Sequence, residues 1–336
     1  MRLTLDQIAS VAWGAVRVAP EDGGVALHRF TEAQEAFYRE RDLDLYRKCF
    51  ATSGMRLVFK TDSTRLSLCV SLSPATSRKY AALEVFADGN RVGSLDNYTG
   101  LDMTPDYTVK ELPLEPLQGQ FDLGLGEKTI TVYLPWSLRT VLQSVELDDG
   151  ASLIPIHREK KLLVFGDSIS QGYDALLPSR TYTTQLADFL NAEEINKAIG
   201  AEHFVPELAA MREDFDPDYI SVAYGTNDWS HRPLADIQRD SRKFYATVSA
   251  LYPKAKIIAL APIWRKDCDD IRACKFTQLA DVLREAAAGL PNITMVDCFD
   301  FVPQDERFFA DLRLHPNDEG FALYAKNLTA ALRKCL

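Results

Sequence analysis

An all-β sandwich of jelly-roll kind, followed by an α/β domain built on a flavodoxin-like parallel sheet, is the architecture this sequence predicts. Three observations predict it. The chain has 336 residues, more than one ordinary core accommodates. Up to about Ile156, short alternating runs follow one another at turn signals. From His157 the rhythm becomes apolar runs separated by helical sequence, the alternation of βαβ units. The domains are accordingly expected at 1–156 and 157–336.

In the first domain, Met55–Ser73 carries two alternating runs joined at Thr61–Thr64. Ala82–Asp96 turns at Asp88-Gly89-Asn90, and Phe121–Pro135 turns near Gly126-Glu127-Lys128. All three read as successive hairpins. One helical patch is expected, around Thr31–Lys48. The aromatics Trp13, Tyr46, Phe59, Tyr133 and Trp136 read as core residues rather than a ligand platform. No catalytic constellation occurs in this half.

In the second domain the strands are expected at KLLVFG (161–166), EEINKAI (193–199), DYISVAYG (218–225), AKIIALAP (255–262) and NITMVDC (292–298). The continuous apolar run Leu162–Phe165 is the pattern of a strand buried on both faces. Helices are expected at Thr181–Asn191, Leu234–Leu251, Ile271–Ala288 and Asp318–Lys334. Right-handed crossovers make a five-stranded parallel sheet the economical arrangement.

Composition narrows the function. With 46% hydrophobic and 26% charged residues the chain is globular, and a formal net charge of −10 argues against a nucleic-acid binder, which needs a basic surface. The N-terminal MRLTLDQIASVAWGAVRV lacks a long apolar core and a small-residue cleavage site, so neither a secretory signal nor a membrane anchor is expected, and the expected location is cytoplasmic. Six cysteines without CxxC spacing read as reduced thiols. Five histidines without paired ligand spacing give no sign of a metal, and no cofactor is expected. Partners are expected among small molecules, and a sandwich edge could build a homo-oligomer.

The chemistry concentrates at strand ends. The first strand ends in Gly166-Asp167-Ser168, the second in Asn196 and then Gly200-Ala201, and the third in Gly225-Thr226-Asn227-Asp228. In a parallel sheet these ends share one edge, the edge where open α/β sheets put ligands. Ser168 is the candidate nucleophile, although a serine here could also merely cap the following helix. A hydroxyl beside several N–H donors suits acyl transfer, in which the donors hold the oxygen that becomes negative. Near the C-terminus His315 precedes Pro316-Asn317-Asp318, a helix start with Asn317 as cap. His315 therefore sits on the entering loop, with Asp311 four residues before it, where it could act as a base toward serine.

Together, GDSIS at 166–170, the Gly200 loop, GTND at 225–228 and the D…HPND stretch ending at Asp318 resemble the four blocks of the SGNH, or GDSL-type, hydrolase family. The resemblance covers the second domain, and the layout with a preceding β-sandwich is similar to carbohydrate esterase family two and related bacterial acylhydrolases and acyltransferases. It implies Ser168 as nucleophile, His315 as general base and Asp311 as its orienting acid. It further implies Ser168, Gly200 and Asn227 as oxyanion-hole donors. The family pattern has glycine where Ala201 stands, so the middle donor could be the N–H of Gly200 or of Ala201. The spacing from Asp311 to His315 is one residue longer than the family's DxxH; either a bulged turn brings Asp311 to the ring, or a backbone carbonyl orients the imidazole. Trp229, Asp167 and Tyr173, and beyond them Trp264 and His203, are the substrate-contact candidates by proximity to the blocks. The implied activity is hydrolysis of a small acyl ester, with acetyl on a carbohydrate as the expected case. An acyltransferase using the same acyl-enzyme is the alternative, and a carbohydrate-binding protein with a vestigial hydrolase domain is a third.

Overall fold

The computed structural model describes residues 1–335. The chain divides into two compact units, one made of Met1–Glu159 with Leu176–Arg180 and Glu193–Asn196, the other of Lys160–Ala175, Thr181–Ala192 and Lys197 onward.

The first unit holds two antiparallel sheets. One runs in the order Arg17–Glu21, Gly24–His28, Leu138–Leu147, Arg65–Pro74, Leu117–Asp122. The other runs Ala12–Trp13, Arg56–Thr61, Lys128–Tyr133, Ala82–Ala87, Asn90–Asp96, with Ile154–Pro155 also on Arg56–Thr61. The alternation Leu66, Leu68, Val70, Leu72 turns one face of its strand inward, where it shares a core with Leu57, Phe59, Val85, Ile130 and Val132 of the other sheet.

Of the three expected hairpins only one forms. Ala82–Ala87 and Asn90–Asp96 pair directly through Asp88 and Gly89, both left-handed at φ 48° and 77°, as a two-residue turn demands. Arg56–Thr61 instead pairs with Lys128–Tyr133, while Arg65–Pro74 pairs with Leu138–Leu147 and Leu117–Asp122, so the chain changes sheet between the two runs. The crossing is pinned by Asp148, whose Oδ2 accepts from both the N–H and the hydroxyl of Thr64 at 2.7 Å. The runs Leu117–Asp122 and Lys128–Tyr133 likewise belong to different sheets. Alternation requires one buried face, and a sheet crossing supplies it as well as a hairpin does.

The helical patch is two helices, Glu32–Arg41 and Leu43–Lys48, divided at Asp42. The Oδ1 atom of Asp42 caps the second by accepting from the N–H groups of Asp44 and Leu45 at 2.7 and 3.0 Å. A further helix, Leu5–Val11, lies outside the sequence expectation; the Thr4–Gln7 capping box starts it.

The α/β region carries a five-stranded sheet in the order Ala192–Asn196, Lys160–Gly166, Tyr219–Ala223, Lys256–Leu260, Ile293–Val296. Parallel registers such as Gly166 on Ala223 and Leu260 on Val296 bring the strand ends level. Helices occupy Tyr182–Phe189, Leu234–Leu251, Leu279–Ala287 and Asp318–Leu332. In the longest, Ile237, Phe244, Tyr245 and Val248 form the buried stripe of a 3.6-residue period. The helix expected from Ile271 begins only at Leu279, after a 3₁₀ turn at Phe276–Gln278. Tertiary partners hold the preceding residues elsewhere: Arg272 lies 4.6 Å from the Trp229 ring and pairs with Asp267, and the Cys274 carbonyl accepts the Trp229 indole N–H at 2.8 Å. Among the described residues no helix is long and apolar enough to cross a membrane.

Candidate active site

At the end of the strand Lys160–Gly166 the chain turns without space for a side chain: a Cβ on Gly166 would overlap the Ser170 hydroxyl. Asp167, not Ser168, caps the short helix Ser168–Gln171, its Oδ1 accepting from the Ile169 N–H at 3.0 Å. Ser168 therefore occupies the first helical position, where a backbone N–H has no intrahelical acceptor. Gly172, at φ 106°, ends the helix after one turn.

The Ser168 hydroxyl lies 2.8 Å from His315 Nε2. On the far side of the ring, Nδ1 lies 2.8 Å from Asp311 Oδ2. The other Asp311 oxygen accepts from the N–H groups of Arg313, Leu314 and His315 at 3.0, 2.7 and 3.0 Å. This wrapped turn absorbs the additional residue between acid and histidine, and Leu312 takes the left-handed conformation, φ 55°, that the bulge requires. Asn317 caps the helix Asp318–Leu332 by accepting from the Gly320 N–H at 3.0 Å, which fixes where the His315 loop ends.

A second carboxylate reaches the same nitrogen. Asp174, fully buried and at φ 74°, places Oδ2 3.3 Å from His315 Nδ1. Burial disfavours the charged ring, but the Asp174 and Asp311 carboxylates outweigh it and raise the His315 pKa to about 9. Burial would lift the Asp311 pKa, yet His315 and the backbone N–H groups hold it well below the usual carboxylate range. Asp167 is pushed the other way, to about 7, because burial dominates; it borders a small cavity of about 20 Å³ shared with Ser170, Tyr182 and Thr226.

The loops after the second and third strands are tied together. Asn227 Nδ2 donates to the Glu202 carbonyl at 2.9 Å, and buried Asp228 accepts from the Phe204 N–H at 3.3 Å and pairs with Arg232 at 3.0 Å. Burial, partly offset by Arg232, raises the Asp228 pKa to about 6. The Gly200 N–H, which the resemblance implies as an oxyanion-hole donor, donates to Gln171 Oε1 at 2.7 Å. Glycine is needed there for another reason: a Cβ would stand 2.7 Å from the Tyr173 ring. The next residue, Ala201, is exposed at φ 72°, and among the described residues neither its N–H nor that of Ser168 has an acceptor in the chain.

The substrate-contact candidates divide between core and site. Trp229 is fully buried, its ring against Phe276 and within about 5 Å of the guanidinium groups of Arg265 and Arg272, which makes it a core residue. Asp167 is a buried cap, and Tyr173 is buried against the His315 ring at 5.5 Å. Trp264 lies half-buried on Phe309, and His203, one-third exposed, sits 3.4 Å from Glu202. Asp174 is the site residue that sequence reasoning misses; the signal available is its place just past Gly172, where a one-turn helix folds the chain back toward Ser168. Asp174, Asp311 and His315 hold their polar atoms within 4.8 Å of one another, as ligands of a metal ion would. Those atoms face one another as one ring nitrogen and two carboxylates, with Nδ1 at 2.8 Å from Asp311 and 3.3 Å from Asp174.

Residues 164–323 match the GDSL-like lipase/acylhydrolase family, a family of ester-hydrolysing enzymes. No curated protein matches the chain in sequence. Among solved structures, a salicylyl-acyltransferase from a tetracycline biosynthetic pathway is 22% identical with a TM-score of 0.79, over 97% of this chain and 95% of its own. A GDSL-like lipase from Bacteroides ovatus is 19% identical with a TM-score of 0.76, over 99% and 97%. An acetyl xylan esterase from Butyrivibrio proteoclasticus is 15% identical with a TM-score of 0.62, over 99% and 98%. At these identities the likeness is one of fold.

Proposed function

We propose that this chain is a serine acylhydrolase that cleaves a small acyl ester, with acetyl on a carbohydrate as the favoured substrate class. The observation that carries the reading is the hydrogen-bonded chain from Ser168 Oγ through His315 to Asp311, with both links at 2.8 Å. His315 Nε2 takes the hydroxyl proton as Ser168 Oγ attacks the carbonyl carbon. The resulting oxyanion is held by the N–H groups of Ser168 and Ala201 and by the Asn227 amide, whose other hydrogen is committed to Glu202. Ala201 replaces Gly200 as donor because the Gly200 N–H is spent on Gln171. Collapse expels the alcohol with the proton from His315; water then attacks the acyl-enzyme by the same route and regenerates the serine. The carbohydrate part draws support from the acetyl xylan esterase likeness, a fold-level analogy.

An acyltransferase, in which an alcohol or amine takes the place of water, is the second reading. The extent of the likeness to the salicylyl-acyltransferase, 97% of this chain at a TM-score of 0.79, favours it. One preparation tests both. Turnover of p-nitrophenyl esters from acetyl to octanoyl is measured together with fluorophosphonate labelling, with Ser168→Ala as control. Ser168-dependent labelling with turnover of short chains is expected; labelling without turnover, relieved by an added acceptor, selects the transferase; full activity in Ser168→Ala refutes both.

A further inference from the structure

Taking the reading of Ser168 and His315 as given, we infer that Asp174 is a positioning residue for the histidine, working with Asp311 on the ring nitrogen that faces away from the serine. Nδ1 carries one hydrogen, and the shorter approach, 2.8 Å against 3.3 Å, directs it to Asp311. Asp174 then acts as a second negative charge and as a wall that limits rotation of the ring about its Asp311 hydrogen bond.

Two features of its setting fit that role. Asp174 has no solvent exposure, and a buried carboxylate is costly unless a cation or donors face it; the imidazole that becomes imidazolium during turnover stands beside it. Its backbone is also left-handed, at φ 74°, a conformation few non-glycine residues adopt. That conformation follows from the turn after Gly172 that sets Tyr173 against the His315 ring and Asp174 against its Nδ1. The groups around the ring are then Ser168 and Asp167 from the strand-helix turn, Tyr173 and Asp174 from the segment after the helix, and Asp311 from the histidine's own loop. Of these, Asp174 and Asp311 contact Nδ1.

The consequence is redundancy. In a Ser-His-Asp site with one acid, replacing that acid by its amide costs about 10⁴-fold in rate. Here a carboxylate remains at Nδ1 after either acid is lost, and the deficit should be far smaller until both are gone.

The test is a pH profile of kcat/KM on p-nitrophenyl acetate for the full chain and for Asp174→Asn, Asp311→Asn and the double variant. Asp174→Asn is expected to move the acid limb down by about one pH unit, as removal of one adjacent charge does. Asp311→Asn should lose about 100-fold or less, and the double variant about 10⁴-fold. An acid limb unmoved in Asp174→Asn, or a double variant no slower than Asp311→Asn, overturns the inference. If Asp174→Asn fails to fold, Asp311→Asn decides alone: a loss approaching about 10⁴-fold refutes a second acid. Fluorophosphonate labelling of Ser168 in the unmodified chain separates the two failures. Its absence sinks the serine reading, whereas intact labelling with an unmoved limb sinks only the role of Asp174.

Discussion

Gly200→Ala discriminates between two reasons for a glycine in the second block. If Gly200 mattered only for its N–H, alanine would keep that N–H, and the backbone there is not left-handed, so the change would be silent. Packing predicts a different outcome. The new Cβ would stand 2.7 Å from Tyr173 Cζ and Oη and 2.8 Å from Cε2, inside the limit for any carbon contact. The Tyr173 ring is buried and lies 5.5 Å from the His315 ring, so relief comes from pushing the tyrosine toward the histidine or the Gly200 loop away from Gln171. Overpacking of this kind costs about 1–3 kcal/mol. In a domain of this size that lowers Tm by roughly 2–4 °C per kcal/mol. A displacement of the base by about 1 Å would cost on the order of 100-fold in kcat/KM. Calorimetry and p-nitrophenyl acetate hydrolysis read both. Adding Tyr173→Ala to Gly200→Ala should return part of the lost Tm, since the two sites are in contact and couple. A Gly200→Ala protein with unchanged Tm and unchanged turnover would refute the packing argument.

Two pH effects follow from the same site. His315 serves as a base only when neutral, and with its pKa raised to about 9 the neutral form is roughly one part in a hundred at pH 7, so kcat/KM should climb about tenfold per unit until near pH 9; a profile flat above pH 7 contradicts this. Asp167, raised from 3.8 to about 7, keeps a proton in the folded state that the unfolded chain releases, so stability is lost as pH rises through that window. Asp167→Asn retains a capping oxygen and removes the buried charge: its Tm advantage should be near zero at about pH 4 and full at about pH 8, and a pH-independent difference would show that the charge is not the cause.

Elements that depend on local chemistry are legible in the residues themselves. The five parallel strands and the helix Leu234–Leu251 follow from the period of their apolar residues. The turn at Asp88-Gly89 follows from two residues that tolerate a left-handed backbone, and the Asn317 cap from side-chain chemistry within one turn. Ser168 and His315 are legible for the same reason, each lying in a short block whose local shape is set by its own residues.

The rest depends on partners distant in the chain, which no local pattern encodes. Alternating runs do not say whether Arg56–Thr61 and Arg65–Pro74 pair or part, because both outcomes bury one face. Residues 271–278 have helical composition, but Arg272 and Cys274 are claimed by Asp267 and Trp229, and that competition is not local. Trp229 reads as a substrate contact because it follows Asp228 in the chain; a helix starting at Thr226 turns its ring into the core. Gly200 gives its N–H to a glutamine 29 residues earlier, and Asp174 meets His315 across 141 residues of chain, contacts that only the closing of the sheet edge brings within reach.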